Sequence, residues 1–387
     1  MSGKPLRIAV IAGEESGDLL GADLVAALER QSGRAVELIG VGGHNLQTLG
    51  LKSLFPSGDI ALMGVSAIIR DLPRLLRRIR QTARAIVEAR PDCLITIDSP
   101  EFALRVARRV HDEEPDIPVV HYVCPSVWAW RPGRAAQMKP YVDHILCLLP
   151  FEPRVLEELG GPEGTYVGHR LNADSNLLAA AHEQLARPPI PETGRKTLLV
   201  LPGSRRGEVT KLLKPFGETV RQLTDRGHEF DLLLPTVPHV AELVEQGTRD
   251  WAVRPQIIHD SQGKWRAFAQ ADAALACSGT VALELALARV PFISCYKTDP
   301  LARMLISMIT VWSASLPNLI AGWPVVPEFF DDFVRPEYLA RLTEQLWEDT
   351  PTRKAQREGF AEVAAMLSTP EPSGELAAKA VMKVLDR

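Results

Sequence analysis

Arg7–Gln31 reads RIAVIAGEESGDLLGADLVAALERQ. The run to Ala12 is apolar and stops at Gly13; from Leu19 onward apolar residues recur at helical spacing. A continuous apolar strand that turns directly into a helix is the opening unit of a parallel sheet buried on both faces. The alternation continues. Strand patterns at Val36–Val41, Cys93–Asp98, Val119–Val123 and His144–Leu149 are separated by helical patterns at Arg74–Arg90, Arg105–Glu113 and Arg134–Tyr141. It breaks at Asp174–Arg195, an Ala-rich helix followed by Pro188, Pro189, Pro191 and Gly194, the composition of a linker. A second alternation has strand patterns at Thr197–Leu201, Phe230–Leu234, Gln256–His259, Ala271–Cys277 and Pro291–Tyr296, with helices near Val209–Arg226 and Thr280–Ala288. The fold class is α/β, with two doubly wound Rossmann-like domains, as 387 residues also lead one to expect. The expected boundaries are 1–172, a linker at 173–195, a second domain at 196–345, and a helical tail at 346–387 in position to pack back on the first domain.

A formal net charge of −4 makes the chain no polycation, so no nucleic-acid partner is expected and any affinity for phosphate or membrane must come from local patches. The five cysteines, Cys93, Cys124, Cys147, Cys277 and Cys295, have no metal-type spacing, and most sit in apolar strand patterns. They read as buried thiols in a reducing compartment. No Asp-x-Asp occurs and the histidines are scattered, so neither a metal nor another cofactor is expected. The apolar start Ile8–Ala12 is too short for a signal peptide. Met304–Pro327 carries no charge, but Asn318, Pro317 and Pro324 suit a helix followed by a loop better than a membrane span.

Two turns in the second half suit a nucleotide. Leu198–Leu201 runs into Pro202-Gly203-Ser204-Arg205, where Gly203 permits a tight turn and Arg205 offers a planar fork to phosphate. Ala273–Ala276 runs into Ser278-Gly279-Thr280 at a helix start, whose free N–H groups attract anions. Either turn alone is equally an ordinary strand–helix connection; together at strand ends of one domain they point to nucleotide binding. In the first half, Glu14, Glu15 and Asp18 would repel a diphosphate and suit sugar hydroxyls, and Ser16 suits the N-cap of the following helix. Asp98 ends a strand at the edge where α/β ligands bind; it can act as a general base or cap the next helix.

The ordered set AGEESGD (Ala12–Asp18), GVGG (Gly40–Gly43), Met63-Gly64, IDSPEF (Ile97–Phe102), HYVCPSVWAW (His121–Trp130), PFE (Pro150–Glu152), VGH (Val167–His169), PGSR (Pro202–Arg205), SGT with Glu284, and LPN (Leu316–Asn318) resembles the lipid-A-disaccharide synthase family of inverting glycosyltransferases. The resemblance implies the GT-B architecture, with an active cleft between the two domains. It implies transfer of 2,3-diacylglucosamine from its UDP derivative to 2,3-diacylglucosamine 1-phosphate, giving a β-1,6 disaccharide and UDP. It places the essential aspartate at Asp98, ribose recognition at Glu284, and uracil-diphosphate contact at Asn318. The acceptor-side candidates are then Glu15, Ser16, Asp18, His121, Ser126 and Trp128. His169 is open to either a structural role or a substrate contact. A UDP-sugar 2-epimerase of the same architecture and a non-catalytic nucleotide-binding regulator are the alternatives. The chain departs from the family pattern at Glu101, where Asp is usual, at Cys124 (Ser), at Arg170 and at Asp331 (Gln).

Arg70, Arg74, Arg77, Arg78, Arg80 and Arg84 interleave with Ile68, Ile69, Leu72, Leu75, Leu76 and Ile79. This pattern fits either a solvated helix face or a helix lying on an anionic membrane, with Arg74, Arg77 and Arg78 as contacts. The implied location is cytoplasmic, peripheral on the inner face of the inner membrane, and a homodimer is compatible with it.

Overall fold

The computed structural model describes residues 4–60, 65–187, 194–299 and 309–387, with side chains in the third helix from residue 73 onward. Met63-Gly64, the prolines at 188–191, residues 304–308 of the uncharged segment and the side chains of Ile68, Ile69, Arg70 and Leu72 lie outside the described residues.

The chain divides into two compact units, Met1–Arg170 with Thr369–Arg387, and Leu171–Ser368. The first holds strands β1 (Leu6–Ala12), β2 (Val36–Val41), β3 (Cys93–Ile97), β4 (Val119–Tyr122), β5 (His144–Cys147) and β6 (Glu163–Tyr166). They form one parallel sheet in the order β2-β1-β3-β4-β5-β6. Its helices are α1 (Glu15–Ser32), α2 (His44–Thr48), α3 (Val65–Ala89), α4 (Pro100–Glu113), α5 (Arg134–Met138) and α6 (Glu152–Glu158). Every residue of β3 is buried, as a central strand covered on both faces requires.

The helix Ser373–Leu385 completes one face of this first sheet. Ala377, Val381 and Val384 join Leu24 and Leu28 of α1 in one core, and Arg30 pairs with Glu375 at 2.6 Å. The expected tail is thus divided. The preceding helix Pro351–Leu367 stays with the second unit, where Gln356 bonds both the N–H and the carbonyl of Phe292, at 2.6 and 3.0 Å, and Phe360 stacks on the Phe292 ring. The expected linker is corrected too. Its helix α7 (Ser175–Ala186) is part of the second unit, with Gln184 donating to the carbonyls of Phe268, Ala269 and Ala271. An amide that satisfies three buried carbonyls is a packing device.

The second sheet runs β12-β11-β10-β7-β8-β9, built from β7 (Lys196–Leu201), β8 (Phe230–Pro235), β9 (Gln256–Ile258), β10 (Ala273–Cys277), β11 (Phe292–Tyr296) and β12 (Glu328–Phe330). Its helices include α8 (Arg206–Asp225), α9 (Pro238–Gly247), α10 (Ser261–Gln270) and α11 (Thr280–Leu287). In each sheet the winding direction reverses once: between β1 and β3 in the first unit, between β7 and β10 in the second. Parallel α/β sheets bind ligands beyond the carboxyl ends of the strands at that reversal.

α3 buries Leu75, Ile79, Ala83 and Ile86 in the core it shares with α4. This part of its apolar face is therefore committed to the fold. Arg74 pairs with Asp59, and Arg78 reaches the same carboxylate at 2.7 Å while its guanidinium lies 4.3 Å from the Phe55 ring centre. Two of the three expected membrane arginines thus pin the loop at Asp59. Arg77 and Arg80 are exposed. Among the described residues no helix is long and apolar enough to cross a membrane.

Candidate active site

The loops after β1 and β3 flank the reversal of the first sheet. Asp98 and Ser99 both adopt left-handed backbone conformations, with φ of 50° and 45°. Two consecutive non-glycine residues there are uncommon, and such strain concentrates at functional sites. The chain enters the turn with the Asp98 N–H still bonded to the Tyr122 carbonyl at 2.9 Å, and Pro100 then starts α4. Ser99, not Asp98, holds the N-cap position. Among the described residues the half-buried Asp98 carboxylate accepts one hydrogen bond, from the Ser99 N–H at 2.8 Å. Asp98 lines an open concavity of about 570 Å³ with Glu14, Ile60, Leu75, Ser99, Pro100, Glu101 and Phe102. Gly13 lets the two loops approach, since a Cβ there would meet Ile60 at 2.9 Å and Ser99 Oγ at 3.0 Å.

Several acceptor-side candidates have other work. Asp18 is 2% exposed and accepts from the N–H groups of Gly43, Asn45 and Leu46 and from Asn45 Nδ2, at 2.6 to 3.3 Å. It caps α2, which explains the Gly42-Gly43 turn and removes Asp18 from sugar binding. Ser16 is exposed inside the first turn of α1, where Glu14 holds the N-cap position, so the expected cap is corrected. Glu15 is exposed.

His121 is fully buried, with Nδ1 2.7 Å from Thr96 Oγ1. Burial, reinforced by the charge of Arg134, pushes its pKa down to about 3, so the ring is neutral and sealed from an acceptor. Its contribution is to stability. The unfolded imidazole gains a proton near pH 6.5 and the folded one does not, so stability is full above pH 6.5 and falls as the pH drops towards 3. Glu152, raised to about 7 by burial, opposes this between pH 4.5 and 7. Thermal unfolding of His121→Gln against wild type should therefore show a shallower loss of stability on acidification from pH 6.5 to 4. Parallel curves would mean that His121 protonates in the folded state.

Ser126 is exposed, and its carbonyl accepts from the N–H groups of Ala129 and Trp130 at 2.9 and 3.1 Å. Trp128 is half-buried, donates to Glu152 Oε1 at 3.1 Å and packs edge-on against Phe151. The other Glu152 oxygen accepts from the N–H groups of Leu148 and Leu149. The aromatic loop is thus riveted to the PFE segment. Glu152 also lies with the thiols of Cys124 and Cys147 in one buried group whose ligand atoms are all within 4.8 Å of each other, a proximity that sequence spacing did not foretell. His169 is held at about 4 by burial and by Arg170.

The charged group beside Asp98 was not legible as a site. Glu101 draws in Arg134, with Arg131 at 3.4 Å and Arg105 at 3.5 Å. Burial raises the Glu101 pKa, but the hydrogen bond and charge of Arg134, with Arg105 and Arg131, outweigh it and hold the carboxyl below its usual range. The arginines come from two segments about thirty residues apart, so no local motif announces them.

In the second unit the PGSR and SGT turns flank the reversal between β7 and β10. Gly203 has φ of 115°, and a Cβ there would lie 2.6 Å from Glu208 Oε2. That oxygen accepts from the N–H groups of Ser204 and Arg205, both at 3.2 Å, while Oε1 pairs with Arg205 Nη1 at 3.0 Å. Glu208 thus occupies the N–H groups that a phosphate would use. A helix-start Glu three residues past the cap was the signal for it. Ser278 Oγ donates to the Ala314 carbonyl at 3.1 Å, and Gly279 and Thr280 are exposed at the start of α11. Glu284 pairs with Lys264 at 2.6 Å, a partner from α10 that sequence reasoning missed. Asn318 is 1% exposed and bonds both the N–H and the carbonyl of Val326 and Glu328 Oε2. Its amide is fully engaged in holding the chain together, which corrects its assignment to the nucleotide.

Two parallel doubly wound sheets, one in each unit, are the architecture of the GT-B fold class. Solved structures of like fold include the S. aureus MnaA–UDP co-structure, with a TM-score of 0.60 at 16% identity over 97% of this chain and 95% of that one. The glycotransferase of kitacinnamycin has a TM-score of 0.62 at 15% identity over 99% and 100%. At these identities they establish the fold alone. Residues 8–380 match the lipid-A-disaccharide synthetase family. The lipid-A-disaccharide synthase of Rhodopseudomonas palustris strain HaA2 is 47% identical over 99% of this chain and 98% of its own. That of Rhodospirillum centenum is 42% identical over 99% and 96%. The chain belongs to the lipid-A-disaccharide synthase family, and it is a glycosyltransferase.

Proposed function

We propose that the chain transfers 2,3-diacylglucosamine from its UDP derivative to the 6-hydroxyl of 2,3-diacylglucosamine 1-phosphate. The acceptor oxygen attacks the anomeric carbon and Asp98 takes its proton. The carbon–oxygen bond to the diphosphate breaks, and UDP leaves with the electron pair. A single attack from the face opposite the diphosphate inverts the anomeric centre. Arg205 and the helix start at Ser278-Gly279-Thr280 stabilise the departing charge, and Glu284 faces the ribose. The observation that supports this reading best is Asp98 itself, held on a left-handed turn at the reversal of the first sheet, its carboxylate accepting one hydrogen bond among the described residues. Release of UDP from UDP-2,3-diacylglucosamine, measured with and without the monosaccharide acceptor, tests it. Acceptor-dependent release is expected; equal release without acceptor would refute the transfer.

We propose further that α3 meets an anionic membrane through Arg77 and Arg80, because Arg74 and Arg78 are occupied by Asp59. Arg77→Gln with Arg80→Gln should weaken sedimentation with phosphatidylglycerol vesicles at moderate salt, since Coulomb attraction is screened over about 10 Å at 0.1 M. Sedimentation equal to wild type would make this face merely solvated. Replacing Arg74 or Arg78 instead would disturb the loop at Asp59 and Ile60, and with it the wall of the concavity.

A further inference from the structure

The concavity at Asp98 continues to Glu101, three residues on, and there three guanidiniums meet one carboxylate. The balance is cationic, beside a wall that otherwise carries Glu14 and Asp98. The donors are also pre-arranged. Arg131 has a left-handed backbone with φ of 54°, and its guanidinium lies 4.2 Å from the Trp130 ring centre. Arg134 is largely buried, on the first turn of α5. Each guanidinium carries five N–H donors in a fixed fork, and one carboxylate cannot use those of three. Planar forks held by a ring and a carboxylate suit a phosphate monoester, whose oxygens accept paired N–H bonds.

We propose that Arg131, Arg134 and Arg105, gathered around Glu101, bind the anomeric phosphate of the acceptor sugar. The inference rests on the transfer reading above, and it assigns the acceptor's orientation. With its phosphate at the arginines, the other end of the sugar ring is turned towards Asp98. Glu101 keeps the guanidiniums aligned and yields donors to the phosphate when it arrives.

The test is calorimetric binding of detergent-dispersed 2,3-diacylglucosamine 1-phosphate, and of the same sugar without phosphate, to the full chain. Wild type should bind the phosphorylated sugar about tenfold tighter or more, the scale of a charge-assisted contact. Arg131→Gln, at an exposed position, and Arg131→Gln with Arg134→Gln should shrink that preference, the double variant most. UDP affinity should stay at the wild-type value. Three results would overturn the proposal: no preference in wild type, an equal loss for both sugars in the variants, or weakened binding to phosphatidylglycerol vesicles with the sugar preference intact, which would make the cluster a headgroup contact. Binding decides the subsite. UDP release on the same samples decides the transfer reading separately.

Discussion

Asp98→Asn is expected to cut turnover by about a hundredfold or more, the scale of a lost general base, while UDP affinity stays at the wild-type value. The substitution is well controlled by the local backbone. Asn is the side chain that, after Gly, best tolerates the left-handed conformation Asp98 adopts, so the turn into α4 survives. The amide retains an oxygen for the Ser99 N–H and loses the negative charge and with it the capacity to take a proton. Steady-state kinetics with both substrates, together with UDP calorimetry, separates the two effects. Turnover near wild type would remove Asp98 from the mechanism; a parallel loss of UDP affinity would mean that the variant acts through the fold.

Arg205→Ala should weaken UDP binding by about 2–3 kcal/mol, the range for a charge-assisted contact to phosphate. The structure adds a reason for the upper end. Arg205 pairs with Glu208, whose other oxygen holds the N–H groups of the same turn. Without the guanidinium, the Glu208 charge is left uncompensated at the phosphate position and opposes the ligand. Glu208→Gln in the Arg205→Ala background should therefore recover part of the loss. Unchanged UDP affinity in the single variant would refute the assignment of Arg205, and no recovery in the double variant would refute the role given to Glu208.

The long apolar strands and the amphipathic helices between them were legible because burial on both faces leaves a continuous pattern that no loop imitates. β6 and β12 were not: Glu163–Tyr166 and Glu328–Phe330 are short edge strands, one polar and Gly-containing, the other three residues long, and neither leaves a periodic signal. Helix periodicity in α3 was real, but periodicity does not say what covers the face. Leu75 and Ile79 meet the protein's own core.

The sequence by itself determined two α/β units, the Gly- and acid-bearing turns at strand ends, and the family. Each of these is written in local pattern: apolar runs, turn chemistry, and residues adjacent in the chain. Tertiary structure alone decided which polar residues are available. Asp18, His121 and Asn318 stand in motifs, yet their hydrogen bonds are taken by Gly43, Thr96 and Val326. It also decided which charges share a place, bringing Arg131 and Arg134 to Glu101, Lys264 to Glu284, and the last helix to the first. The physical reason is common to all of them. A polar group's role depends on whether water or protein satisfies it, and the partners that settle this lie from 8 to 345 residues away.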